Sequence, residues 1–120
     1  MLIEILYPEL CNLFGDTGNM RYLKSCLPEA EFAETSLHDE PKFISAAPSL
    51  IYMGPMTERA QERVAQRLMQ YKERIGELIE SGCCFLFTGN AMEVLGEGIE
   101  TADGTIEGLG ILKLRAKRDI

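Results

Sequence analysis

Histidine is almost absent from this chain: its 120 residues include one, His38. That residue sits in a polar segment without an evident partner, so a surface position suits it better than acid–base catalysis. Four cysteines are present, Cys11, Cys26, Cys83 and Cys84, but no Cys-x-x-Cys pair. Zinc and dithiol redox readings are therefore weakly supported, and neither a metal nor a cofactor is expected. Basic residues are the minority, 12 Lys and Arg against 19 Asp and Glu, for a net charge of −7. Such a balance argues against a nucleic-acid-binding surface. The one basic cluster, within 113–118, reads as the end of a strand and a tail. No apolar run approaches the length of a membrane span. The opening Met1-Leu2-Ile3-Glu4 places an acid where a signal peptide needs positive charge, so a cytoplasmic protein is expected. A phosphate-binding loop ending in Gly-Lys-Ser/Thr is also missing.

What remains is an ordinary globular composition, 46% apolar and 26% charged, in one domain spanning 1–120. The most informative stretch runs from Gly82 to Gly96. A short apolar run, Cys83-Cys84-Phe85-Leu86-Phe87, stops at Thr88-Gly89-Asn90 and restarts as a helical pattern. This is the signature of a strand buried on both faces that turns sharply into a helix. Open α/β sheets place their chemistry at such turns. In that strand Cys83 and Cys84 are expected to act as small buried hydrophobes rather than nucleophiles.

Residues 2–7 form a β-prone run that stops at Pro8. A loop of turn formers, Gly15-Asp16-Thr17-Gly18-Asn19, precedes a helix carrying Met20, Leu23 and Leu27 on one face, closed by Pro28. Asp16 or Thr17 is placed to cap it, and the loop's alternative role is ligand binding. Residues 31–37 alternate as an edge strand, and 38–48 are expected to form a connection containing a short turn of helix. A strand over 49–54 leads to Thr57, the expected cap of one long helix over 58–81. Ala60, Val64, Leu68, Tyr71, Ile75 and Leu78 line the face of that helix, and Gly82 ends it. The last strand is expected over 109–114. Strands alternating with helices predict an α/β, flavodoxin-like three-layer sandwich with a mostly parallel sheet.

Two motifs carry a resemblance. Leu6-Tyr7-Pro8-Glu9-Leu10-Cys11-Asn12-Leu13-Phe14-Gly15-Asp16-Thr17-Gly18-Asn19 resembles the opening strand and loop of class I glutamine amidotransferases of the cobyric acid synthase type. Within that family the nearest likeness is to the amidotransferase subunits of lipid II isoglutaminyl synthases. Asp103-Gly104-Thr105-Ile106-Glu107-Gly108-Leu109-Gly110 is similar to a stretch that follows the nucleophile helix in the same family. The likeness spans the first half of a usual family member. It implies glutamine as substrate, ammonia release by a Cys nucleophile and a His base, and a Mur-ligase-like or other synthetase subunit as partner.

The family's catalytic positions are altered here. Its Cys-Gly-Gly-Tyr-Gln elbow aligns with Thr88-Gly89-Asn90-Ala91-Met92, so the nucleophile position holds Thr88. A threonine hydroxyl needs an activating base, and a β-branched residue tolerates a strained elbow badly. The Gly-rich oxyanion loop aligns with Gly54-Pro55-Met56-Thr57-Glu58, where Pro55 offers no N–H. The family's catalytic His belongs to its second half, and His38 matches no family position. The residues thus favour an amidotransferase-like scaffold or partner subunit without glutaminase activity. Two alternatives stay open: a working amidotransferase using Thr88 or a neighbouring Cys, with the missing half supplied by another chain, and a module binding an anion or nucleotide at Gly15 to Asn19 or at Thr88 to Asn90. A half-length fold is expected to expose residues 109–114 and to pair there with a synthetase subunit or a second copy.

Overall fold

The computed structural model describes residues 1–15 and 17–118, with Thr17 described by its backbone alone. Its centre is an all-parallel four-stranded sheet of order β2-β1-β3-β4. The strands are β1 (Leu2–Leu6), β2 (Glu31–Thr35), β3 (Leu50–Met53) and β4 (Cys84–Phe87). β1 lies in register with β2 from Leu2 opposite Glu31 to Leu6 opposite Thr35, and β3 with β4 from Leu50 opposite Cys84. Side chains alternate across the sheet. One face presents Leu6, Ile51 and Met53 to Val64, Leu68, Ile75 and Leu78. The other presents Ile5 and Tyr52 to Met20, with Leu23 and Phe32 alongside. Helices therefore cover both faces: α1 (Thr17–Cys26) on one, α2 (Glu58–Met69) and α3 (Lys72–Glu80) on the other. No helix among the described residues is long and apolar enough to cross a membrane.

Several expected features are present. β2 is an edge strand, and a single 3-10 turn, Lys42–Ile44, lies in the connection that follows it. The Thr57 hydroxyl accepts from the Ala60 N–H at 3.2 Å, capping α2. Gly82, at φ +96°, turns the chain after α3 in the left-handed region where glycine is favoured.

Four expectations are corrected. First, β4 is the outer strand of the sheet rather than one buried on both faces. It pairs with β3 alone, Leu86 is 45% exposed, Cys84 is exposed, and Cys83 is half-buried. The apolar packing on α1 involves β1, β2 and β3, so the α1-side face of β4 lacks that cover. Second, the helix over 58–81 is two helices. Tyr71 breaks it, at φ −106° and ψ 11°, with its ring edge-on to Phe43 at 5.7 Å. The break keeps the apolar stripe on the sheet, where Ile75 and Leu78 are buried.

Third, the segment after Thr88 is a 3-10 helix, Gly89–Leu95, burying Ala91, Val94 and Leu95. Fourth, residues 109–114 form no strand. A separate sheet of order β6-β5-β7 consists of β5 (Gly98–Thr101), β6 (Gly104–Glu107) and β7 (Arg115–Lys117). The intervening chain crosses back over the 3-10 helix: Leu109 N–H donates to Val94 O at 2.9 Å and Gly110 N–H to Gly96 O at 2.8 Å. A Cβ on Gly108 would stand 2.1 Å from Gly96 O, so only glycine permits that crossing. Ile111, Leu112 and Leu114 are half-buried, and the exposed edge expected there lies instead at β4.

Candidate functional site

A parallel sheet directs its strand ends to one edge, and its ligand crevice opens where neighbouring strands lead the chain in opposite directions. In this order that point falls between β1 and β3. The loop leaving β1 begins at Tyr7, a buried residue at φ +51°. Its N–H donates to Thr35 O at 2.7 Å, and its carbonyl accepts from Leu10 at 2.9 Å and Cys11 at 2.8 Å. Those bonds hold a non-glycine residue in an unfavourable conformation. The loop then reaches across β3, where Leu13 N–H donates to Pro55 O at 3.2 Å. Cys11 Sγ lies 3.9 Å from Met56 Sδ, and both side chains are buried. The crevice is thus filled by the protein's own sulfur-bearing side chains.

The Thr88 turn closes against the loop that leaves β3. Thr88 has ordinary extended geometry, φ −103° and ψ 152°. The strained elbow expected at this position is absent, and the left-handed residue is Gly89 at φ +57°. A Cβ on Gly89 would lie 2.9 Å from Pro55 Cβ, which measures how tightly the two turns meet. The Thr88 hydroxyl is buried without a hydrogen-bond partner. His38 follows β2, three strand spacings from β4, so about 14 Å of sheet separates the histidine segment from the Thr88 turn.

Asn90 completes the closure. Its side-chain oxygen accepts from Met56 N–H at 3.0 Å, and its amide donates to Met56 O at 2.8 Å. In the loop after β3, Pro55 has no N–H and the Met56 N–H is already engaged. Gln61, buried on α2, donates to Asn90 O at 2.9 Å and to Glu93 Oε1 at 3.0 Å. Arg118 Nη2 in turn donates to Gln61 Oε1 at 2.7 Å, and Arg118 pairs with Glu58 at 3.7 Å. Gly54, Pro55, Met56, Thr88, Gly89 and Asn90 are therefore brought together, but as a packed polar joint rather than a substrate cavity.

The other expected site residues lie apart. Gly15 is exposed at φ +76°, and Asn19 is exposed in the first turn of α1. The cap expected at Asp16, and the Thr17 side chain, fall outside the described residues. Cys83 immediately precedes β4, five residues and about 16 Å of extended chain from Thr88. Burial, then the neighbouring Cys84, raises its thiol pKa, which withholds the reactive thiolate. Burial, then Glu9, pushes Cys11 up to about 12. Tyr7 is also raised, mainly by burial. No group of three His, Cys, Asp or Glu side chains suited to a metal occurs among the described residues.

The structural roles of three residues escaped the sequence reading. Glu4, fully buried in β1, accepts from Thr35 Oγ1, from Lys42 N–H at 2.8 Å and from Phe43 N–H at 2.9 Å. A lone acid inside the apolar run Leu2-Ile3-Glu4-Ile5-Leu6 is the signal that could have found it, because a buried carboxylate requires donors. Gln61 and Asn90 carry no comparable local signal, since their partners lie about thirty residues away in sequence. Comparison of the chain with protein-family models and with curated proteins gives no match.

Proposed function

We propose that the chain is a glutamine-amidotransferase-like domain that has given up glutamine hydrolysis and serves as the scaffold or partner subunit of a synthetase. The motif likeness at both ends supplies the family. The observation that carries the loss of chemistry is the joint at the sheet edge, where the Met56 N–H is held by Asn90 and Pro55 packs on Gly89. Oxyanion stabilisation requires free donors aimed at the reacting oxygen, and at the Pro55-Met56 step this loop offers none. The buried, base-free Thr88 hydroxyl agrees with that reading.

A partner role draws support from β4. Among the described residues it has one neighbouring strand, and Leu86 and Cys84 lie exposed on it. An unpaired apolar edge invites a further strand or an apolar face from another chain.

The test is release of glutamate and ammonia from glutamine at high protein concentration. No turnover is expected. Saturable turnover that disappears in Thr88→Ala would overturn the proposal and establish a working enzyme with an unusual nucleophile.

A further inference from the structure

A second polar site lies away from the Thr88 joint, where the exit of β2 meets the flank of α2. Leu37, His38, Arg63, Gln66, Arg67 and Gln70 line an open cleft of about 330 Å³. Arg63, Gln66 and Arg67 fall on one face of α2, with Gln70 following at its C-cap, because steps of three and four residues bring side chains together. Two arginines one turn apart repel each other unless an anion lies between them. The only ion pair among the described residues joins Arg118 to Glu58, so neither arginine is neutralised by a protein carboxylate. Asp39 and Glu40 flank the cleft without lining it.

Arg67 is held in place. Its Nη2 donates to Asp39 O at 3.3 Å, and its guanidinium lies 5.8 Å from the centre of the Tyr71 ring. Its Nε is nonetheless buried with no partner. Of the three buried side-chain polar atoms without a partner among the described residues, the other two are the Tyr7 hydroxyl and Thr88 Oγ1. The Arg67 charge also acts on Tyr7, opposing the effect of burial. An unsatisfied donor therefore stands on a guanidinium that lines the cleft, and such a group calls for an explanation.

We propose that this cleft binds the phosphate group of a small phosphomonoester, with Arg67 and Arg63 as its cationic ligands and His38 at its rim. A guanidinium fork matches both carboxylate and phosphate geometry. Two such forks beside an imidazole suit a dianion better than a monoanion, which selects phosphate. The site is independent of the reading at Thr88.

The test is a titration with inorganic phosphate, followed by nuclear magnetic resonance of backbone amides and arginine Nε–H groups, with acetate at matched ionic strength as control. Saturable shifts at Arg67 Nε–H, Arg63 and residues 37–38 are expected, with acetate binding more weakly. Arg63 is exposed and makes no hydrogen bond among the described residues, so Arg63→Gln preserves the fold. Both Arg63→Gln and Arg67→Lys should weaken phosphate binding by about tenfold, the loss of one charge-assisted contact. Equal shifts at Arg21 and Arg59, acetate binding as tightly as phosphate, or unchanged affinity in Arg63→Gln would each overturn the proposal.

Discussion

On the proposed amidotransferase-like reading, placing a cysteine at position 88 by Thr88→Cys should leave the protein inert toward glutamine, and the size of the deficit follows from the geometry. Removing one oxyanion donor from a working hydrolase lowers its rate on the order of 10²–10³. Here Pro55 has no N–H, and the Met56 N–H is committed to Asn90 at 3.0 Å. A positioned general base contributes on the order of 10²–10⁴ more. The sole histidine belongs to the segment after β2, at the far side of the sheet. Multiplied, these deficits place the variant on the order of 10⁴–10⁷ below a competent enzyme. Burial of the position 88 side-chain oxygen adds to the problem by disfavouring a thiolate. The assay is glutamate release, paired with labelling by a glutamine-like chloroketone detected by intact mass. Saturable hydrolysis, or rapid stoichiometric labelling at position 88, would show that donors and base are available and would refute the argument.

Other perturbations test the packing that closes the site. Asn90→Ala strands the N–H and carbonyl of Met56, which is 1% exposed. At about 1–3 kcal/mol for each unpaired buried group, a loss of several kcal/mol is expected in urea unfolding, and a change below 1 kcal/mol would contradict it. Gly89→Ala forces a Cβ into the left-handed region and against Pro55, and should destabilise by about 1–3 kcal/mol. Adding Pro55→Gly should return part of that loss, and no rescue would locate the strain elsewhere. Glu4→Gln replaces an oxygen that accepts from Thr35 and Lys42 by an NH₂ group, so thermal unfolding should fall markedly, whereas an unchanged midpoint would mean these bonds are not made. Cys11 stays protonated in the fold up to about 12, above its ordinary value of 9.0, so its contribution is complete below pH 9 and fades between pH 9 and 12. Stability measured across that window should decline, and Cys11→Ala should flatten the decline.

The amino-acid sequence by itself determined the features that rest on local chemistry. Period-two and continuous apolar runs specified β1, β2 and β3, Thr57 specified the start of α2, and Gly82 specified the turn after α3. Each is decided within a few residues, by side-chain alternation, one capping oxygen or one left-handed backbone position. The missing donor at Pro55 was also legible, because a proline lacks an N–H in any fold. Tertiary structure alone decided the rest. An apolar run such as Cys83-Cys84-Phe85-Leu86-Phe87 reads identically in a central or an outer strand, and only the pairing with β3 on one side made β4 an edge. Tyr71 fits a helical stripe, but in the fold it leaves helical geometry between α2 and α3, with its ring edge-on to Phe43. Residues 109–114 look like a strand, yet the Gly96–Gly108 crossing turns them into a strap over the 3-10 helix. Glu4 with its donors, and Asn90 with Met56, join residues 31 to 39 and 34 positions apart. Interactions at such separations are set by the fold that closes the loop between them, not by propensities within it.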